Sequence, residues 1–285
     1  MTQVSRAVLI SGCSSGIGRA TALRLAAGGW TVYASARNPA AIADLGDAGC
    51  RILQLDVTDE QSMATAVAEV ERVEGAVGVL INNAGYSQSG AIETVPLDAV
   101  RQQFETNVFG LVRLTQLVLP KMRAQGWGKV VNLGSMGGKL TFPGGGHYHA
   151  TKYALEALSD ALRFELRGFG VDVILVEPGL ITTEFGNAAT ASLGAAGAAS
   201  ADGDPYAHFN ATVGAVTKGA YEGPLRAFGG GPDRVAKAIE RALRRRRAPS
   251  RVVVTPSAKL TIPTRRLLPD RVWDAAMRAQ FPTPR

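Results

Sequence analysis

Seven short apolar runs, rich in β-branched residues, are spaced along this chain at residues 7–10, 31–34, 51–55, 77–82, 129–133, 172–176 and 251–255. Segments of helical character separate them, at residues 18–27, 59–74, 97–124, 148–169 and 232–246. A strand that is apolar at every position must be covered on both faces, and strands joined through helices run parallel. The pattern therefore predicts a doubly wound α/β fold, a seven-stranded parallel sheet with helices on both faces. With 285 residues, 46% of them hydrophobic, the chain can bury one large core, and a single domain over residues 1–285 is expected.

The first run leads directly into Ser11, Gly12, Cys13, Ser14, Ser15, Gly16, Ile17 and Gly18, followed by a helix rich in Ala and Leu. A turn with few side chains lets backbone N–H groups approach a pyrophosphate at the positive end of the helix. Strand, turn and helix together are the setting of a dinucleotide fingerprint, here spaced G-x-x-x-G-x-G, so the sheet is expected to be of Rossmann type. The second run leads into Ala36 and Arg37, where a carboxylate would normally bind the ribose 2′-hydroxyl. Arg37 instead suits a 2′-phosphate, which predicts a preference for NADP(H) with NAD(H) still possible. The alternative is an arginine merely snorkelling at a strand end. Asp56, closing the third run, and Val57 beside it are placed to meet the adenine.

Tyr148 and Lys152 stand four residues apart at the start of a helix and so share a face. A phenol titrates near pH 10, so a catalytic tyrosine needs fixed positive charge beside it, which Lys152 and an oxidised nicotinamide would supply. His147 and His149 flank the tyrosine. Two-residue spacing puts them on different faces, which favours surface or pocket-wall roles over a metal site; contact of His147 with substrate stays open.

Asn82, Asn83, Ala84, Gly85, Asn107, Ser135, the Tyr148/Lys152 pair, Pro178 and Gly179 follow one another in the order and spacing of the short-chain dehydrogenase/reductase family, which the chain resembles over residues 6–183. The glycine-rich turn resembles that of the hydroxysteroid- and retinol-dehydrogenase-like branch. The resemblance implies an oxidoreductase interconverting an alcohol and a ketone or aldehyde. In it Tyr148 exchanges the proton, Ser135 hydrogen-bonds the substrate oxygen and Lys152 holds the nicotinamide ribose. Asn107 would kink its helix and help a water relay protons to Lys152. Asn83, Ala84 and Gly85 would line the adenosine side, while Pro178, Gly179, Ile181 and Thr183 would meet the carboxamide and phosphates. Gly134 stands where many relatives carry a serine, which should loosen the substrate-side wall. A bulky apolar substrate such as a steroid, retinoid or lipid-like ketone is implied by the same branch, and a cofactor sensor without turnover is the alternative. The family's habit of pairing through two long helices implies a homodimer or homotetramer, with Val112, Gln116 and Leu119 facing Leu155, Ser159 and Leu162.

Residues 1–240 carry 19 Lys and Arg against 22 Asp and Glu, whereas the last 45 residues carry 12 against 2. No nucleic-acid motif or stacking platform accompanies this charge, so no nucleic-acid partner is expected. Part of it, Arg244 to Arg247, falls at a helix end where cations are favoured. Contact of the basic extension, residues 256–285, with a membrane surface is a further alternative. Leu268, Val272, Trp273, Met277 and Phe281 recur there at helical spacing and should pack as a stripe. Two cysteines, Cys13 and Cys50, make no disulfide framework or zinc pattern, and no leader or membrane span is visible, so a cytoplasmic protein without bound metal is expected. Residues 184–231 form an Ala/Gly-rich insertion, expected to act as a mobile lid with Phe185, Tyr206, Phe209 and Tyr221 as its apolar contacts.

Overall fold

The computed structural model describes residues 4–183 and 204–284. Its strands are β1 (Val8–Ile10), β2 (Val32–Ala36), β3 (Arg51–Gln54), β4 (Val79–Asn82), β5 (Gly128–Leu133), β6 (Val171–Pro178) and β7 (Arg251–Val254). They form one sheet in the order β3-β2-β1-β4-β5-β6-β7, every neighbouring pair parallel. The helices are α1 (Gly16–Ala27), α2 (Glu60–Glu74), α3 (Leu97–Phe104), α4 (Gly110–Ala124), α5 (Gly146–Leu166), α6 (Ala207–Glu222), α7 (Pro232–Arg244), α8 (Pro256–Leu267) and α9 (Asp270–Arg278).

Side chains alternate across a strand, so runs apolar at every position fill two cores. Val8, Ile10, Val32, Val79, Ile81 and Ile174 pack with Leu25 of α1 and with Val235 and Ile239 of α7. Leu9, Tyr33, Leu80, Val130 and Val173 face the other way, against Val67 and Val70 of α2 and Leu114 and Met122 of α4. This is the doubly wound, single-domain arrangement that the strand pattern predicts. From β1 the chain winds outward to β2 and β3, then crosses back to β4. The loops leaving β1 and β4 therefore splay apart at the carboxyl end of the sheet, and open α/β sheets bind ligands in such a crevice.

The segment read as one helix over residues 97–124 is α3 and α4 joined through a single π turn at Glu105–Phe109. In α5, Leu155 and Ser159 do not face outward as expected. Leu155 packs with Val108 of the π turn and Leu111 of α4, and Ser159 Oγ accepts from Asn132 Nδ2 of β5 at 3.0 Å, so both look into the protein. The exposed stripe of α5 is instead Tyr153, Ala157, Ala161 and Phe164.

The C-terminal extension folds as two helices with Pro269 between them, which interrupts the continuous face read from the sequence. Met277 and Phe281 pack with Phe209, Val213 and Val216 of α6, and the Trp273 ring lies 6.2 Å from that of Phe142. Val272 is left 49% exposed. Helix α7 ends at Arg244, which bonds Glu240 and the Gly28 carbonyl. Of the insertion at 184–231, the described part is helical: α6 is fixed by Asn210 Oδ1, which accepts from the Ala91 amide at 3.1 Å. Phe185 and the alanine-rich residues 188–201 lie outside the described residues. Both cysteines are free and buried, and burial pushes the Cys13 thiol up to about 12, so it stays protonated and unreactive. Among the described residues, no helix is long and apolar enough to cross a membrane.

Candidate active site

The turn after β1 needs its glycines. Gly12 and Gly16 sit at φ +74° and +56°, in the left-handed region. A Cβ on Gly18 would fall 2.2 Å from the Gly12 carbonyl oxygen, and one on Gly12 would fall 2.9 Å from the Ala84 Cα. Asn83 fastens this turn to the loop leaving β4: its Nδ2 donates to the carbonyls of Ser11 and Gly12 at 2.9 and 2.8 Å. The amides of Asn83 and Ala84 both donate to Ser11 Oγ at 3.1 Å. Ser15, the N-cap residue of α1, is extended and makes no side-chain cap hydrogen bond, which leaves the first helical amides for an anion. Ser14 and Ile17 frame the same opening, and Thr183 closes it from above, 3.3 Å from where a Cβ on Gly16 would stand. This cradle fits a dinucleotide: close packing at Gly12 and Gly18 leaves no room for side chains, and the helix end offers amides to a pyrophosphate.

Other expected cofactor residues surround the crevice. Arg37 is exposed just beyond β2, and its charge acts on the phenol of Tyr86, opposing the upward push of burial there. Asp56 Oδ1 accepts from the amide and hydroxyl of Thr58 at 2.9 and 2.8 Å, and Val57 is buried against Gly110 at the start of α4. Beyond Pro178, the amides of Gly179 and Leu180 donate to Thr255 Oγ1 and Ser257 Oγ, each at 3.2 Å. Ile181 is buried and bridges to Gly230.

At the carboxyl end of β5, Ser135 Oγ accepts from the Gly137 amide at 3.0 Å, which leaves its proton to be donated. The side chain of Ser135 hydrogen-bonds Tyr148 and draws its pKa down, but burial dominates and holds the phenol above its ordinary range. Lys152, one turn along α5, has its Nζ 5.7 Å from the centre of the Tyr148 ring. That ammonium donates to the Leu133 carbonyl at 2.7 Å, and burial lowers its pKa from 10.5 to about 8. Asn107 sits inside the π turn. Its Oδ1 accepts from the Tyr86 amide at 3.1 Å, and its Nδ2 donates to the Tyr86 carbonyl and to Thr151 Oγ1 at 2.9 and 3.1 Å. It thereby ties the β4 loop, which includes Gly85, to α5. Ser135, Tyr148, Lys152 and Asn107 are thus brought to one end of the sheet.

His149 is buried: its Nδ1 pairs with the Gly137 carbonyl at 2.9 Å, and its Nε2 accepts from the Phe142 amide at 3.2 Å. Burial lowers its pKa, so it is a neutral strut of the pocket wall. His147 is half-buried, and its Nε2 has no hydrogen-bond partner among the described residues. Gly134 does not loosen the substrate wall. A Cβ there would lie 2.9 Å from Leu175 Cδ1 and 3.0 Å from the Val176 carbonyl oxygen, so the position faces β6 and the absent side chain lets two strands approach. Below Lys152, Glu156 binds Lys139 and Arg251. Burial and the nearby Glu156 push the Glu177 carboxyl up to about 8.

The sequence gives no hint of four further contributors. Thr151 anchors Asn107, the Leu133 carbonyl orients Lys152, and Thr255 and Ser257 hold the turn after Pro178. Thr255 is in the left-handed region at φ +80°, a conformation that no local sequence signal announces.

Known proteins show the same construction. A family model described as short chain dehydrogenase matches residues 6–193. The chain is 34% identical over 280 residues to the NADPH-dependent 3-dehydrocapnine reductase of Ornithobacterium rhinotracheale, covering 94% of this chain and 95% of that protein. It is 40% identical over 178 residues to the 3-ketodihydrosphingosine reductase of Bacteroides thetaiotaomicron, covering 62% of this chain and 65% of that protein. A short-chain dehydrogenase structure from Streptomyces avermitilis superposes with a TM-score of 0.78 at 34% identity, covering 98% of this chain and 97% of that one. The chain is an NAD(P)-dependent oxidoreductase and belongs to the short-chain dehydrogenase/reductase family.

Proposed function

We propose that this chain is an NADP(H)-dependent reductase of a bulky apolar ketone or aldehyde, able to run in reverse as an alcohol dehydrogenase, with Tyr148 as its acid and base. The observation that carries this reading is the hydrogen bond between Tyr148 and Ser135 beside a buried Lys152. When bound, the nicotinamide supplies the hydride for the carbonyl carbon. Ser135, turning its hydroxyl from Tyr148 to the substrate, would donate a hydrogen bond to the carbonyl oxygen and fix its position. Tyr148, like any phenol, is protonated at neutral pH, and burial reinforces this, so it is loaded to deliver a proton to the oxygen as negative charge develops there. Lys152 in its charged form offsets the tyrosinate left behind and reaches toward the ribose. Asn107 is a positioning residue.

In this reading Gly12, Ser14, Ser15, Gly16, Ile17 and Gly18 take the pyrophosphate, and Arg37 takes the 2′-phosphate. Asp56 and Val57 meet the adenine, Asn83, Ala84 and Gly85 the adenosine side, and Pro178, Gly179, Ile181 and Thr183 the carboxamide and phosphates. The NADPH-dependent relative supports the cofactor preference. The apolar substrate is favoured by the aromatic rings that lead away from Tyr148, His149 at 5.6 Å from it, Phe142 at 6.0 Å from His149 and Trp273 at 6.2 Å from Phe142, and by the two reductases named above. Residues 204–231, which pack on Met277 and Phe281, would form part of the cover over the substrate. Two copies pair through the exposed face of α5.

The test is NADPH oxidation, followed by absorbance, over a panel of water-soluble and long-chain ketones. Turnover that rises with the apolar size of the ketone is expected. Tight NADPH binding without turnover on any ketone or alcohol would make the chain a sensor and reject the reading.

A further inference from the structure

Several basic residues elsewhere on the surface are matched by carboxylates. Arg19 pairs with Asp44, Arg24 with Glu240, Arg72 with Glu69, Arg101 with Asp98 and Arg113 with Glu60. The face made by α7, β7 and α8 departs from this. A groove of about 720 Å³ there is lined by Arg234, Lys237, Arg241 and Lys259, with Val253 and Leu260 among its apolar walls and no Asp or Glu in its lining. All four cations are exposed. None makes an ion pair among the described residues, and of the four side chains only that of Arg234 makes a hydrogen bond there, to the Gly229 carbonyl.

Beside the groove, α8 turns apolar residues toward solvent. Leu260, Pro263 and Leu267 lie at i, i+3 and i+7, on one face of the helix. Leu260 is 63% exposed and Leu267 81%, and Lys259 and Arg266 flank the row. A row of exposed apolar side chains bordered by unpaired cations is the pattern of a surface that rests in the lipid interface beneath anionic headgroups. The face also lies at the functional end of the molecule. Thr255, on the groove wall at the carboxyl end of β7, bonds the Gly179 amide of the active-site loop. Arg234 stands in the first turn of α7, just after Gly230 bridges to Ile181.

We infer that the α7–β7–α8 face is a docking surface for an anionic phospholipid bilayer, seating the cations on headgroups and Leu260 and Leu267 among the upper acyl carbons. Charge complementarity sets the choice of occupant. A second copy related by a two-fold axis would bring these four cations against the same four, whereas an anionic bilayer neutralises them. The geometry places the binding surface on α7, β7 and α8, ahead of the last helix of the extension. The docking stands on the surface alone; only its use in delivering substrate rests on the reading of an apolar ketone, and turnover of a water-soluble ketone tests that reading separately.

The experiment is flotation of the full-length protein with vesicles of phosphatidylcholine alone and of phosphatidylcholine mixed with phosphatidylglycerol, at low and high salt. Binding to the anionic vesicles only, weakened by salt, is expected. Lys237→Glu with Arg241→Glu should lower vesicle affinity by about tenfold or more, since each cation near a charged membrane contributes roughly fivefold. Leu260→Ser with Leu267→Ser should weaken binding while all the charges remain. Both double variants should keep wild-type turnover of a water-soluble ketone, which shows them folded. Equal binding to both vesicle types, no flotation of the wild type, or wild-type flotation by both double variants would overturn the inference. So would loss of a dimer in Lys237→Glu with Arg241→Glu, seen by sedimentation, because the face would then belong to a second copy.

Discussion

The ammonium of Lys152 donates to the main-chain carbonyl of Leu133 at 2.7 Å, at the carboxyl end of β5. A buried ammonium with one neutral partner is held at a cost. The drop of its pKa from 10.5 to about 8 corresponds to roughly 3 kcal/mol.

Lys152→Met should therefore abolish turnover yet raise stability. Leaving the Leu133 carbonyl unpaired takes back about 1–2 kcal/mol, so a net gain of about 1–2 kcal/mol is expected by denaturant unfolding. The sign of the pH dependence follows. Between about pH 8 and 10.5 the unfolded chain holds a proton that folded Lys152 has released, so in the wild type this group's contribution to stability rises with pH across that window. The Met variant should lack that rise, and identical pH profiles would refute the assignment.

Arg37 stands exposed past β2, with no carboxylate at Ala36 to receive a ribose hydroxyl. Arg37→Ala should weaken NADPH binding by about tenfold or more, the scale of a charge-assisted contact to phosphate, and leave NADH nearly unchanged. Equal losses for both cofactors in fluorescence titrations would make the arginine structural.

Tyr153, Ala157, Ala161 and Phe164 form an exposed apolar row on α5, with Phe164 69% exposed. Small residues between two aromatics allow a second helix close approach. If two copies pair through this row as proposed, the wild type should sediment as a dimer or tetramer at micromolar concentration and Tyr153→Glu with Phe164→Glu should shift it to smaller species. A wild type that is monomeric there would contradict the pairing.

The strands were legible because buried parallel strands are apolar at every position, and Tyr148 with Lys152 because four-residue spacing on a helix places them together. What stayed hidden depends on neighbours distant in sequence. Whether Leu155 and Ser159 face inward or toward solvent is set by how α5 lies against α4 and β5. The effect of Gly134 is set by Leu175 on the adjoining strand. The π turn around Asn107 carries no residue preference, and Thr255 owes its backbone conformation to the hydrogen bonds it makes with Gly179, Ser257 and Ala258. Pro269 did mark the break in the C-terminal stripe, but helical spacing alone reads through it.

The most direct test of the central claim is single-turnover reduction of the preferred ketone by Tyr148→Phe. The substitution removes one hydroxyl and keeps the ring. The chemical step should slow by about 10²- to 10⁴-fold, the range of a general acid, while the NADPH dissociation constant stays within about twofold of wild type, since a larger change would exceed roughly 0.4 kcal/mol. A chemical step at the wild-type rate with NADPH binding intact would contradict the account, because the proton would then come from another group.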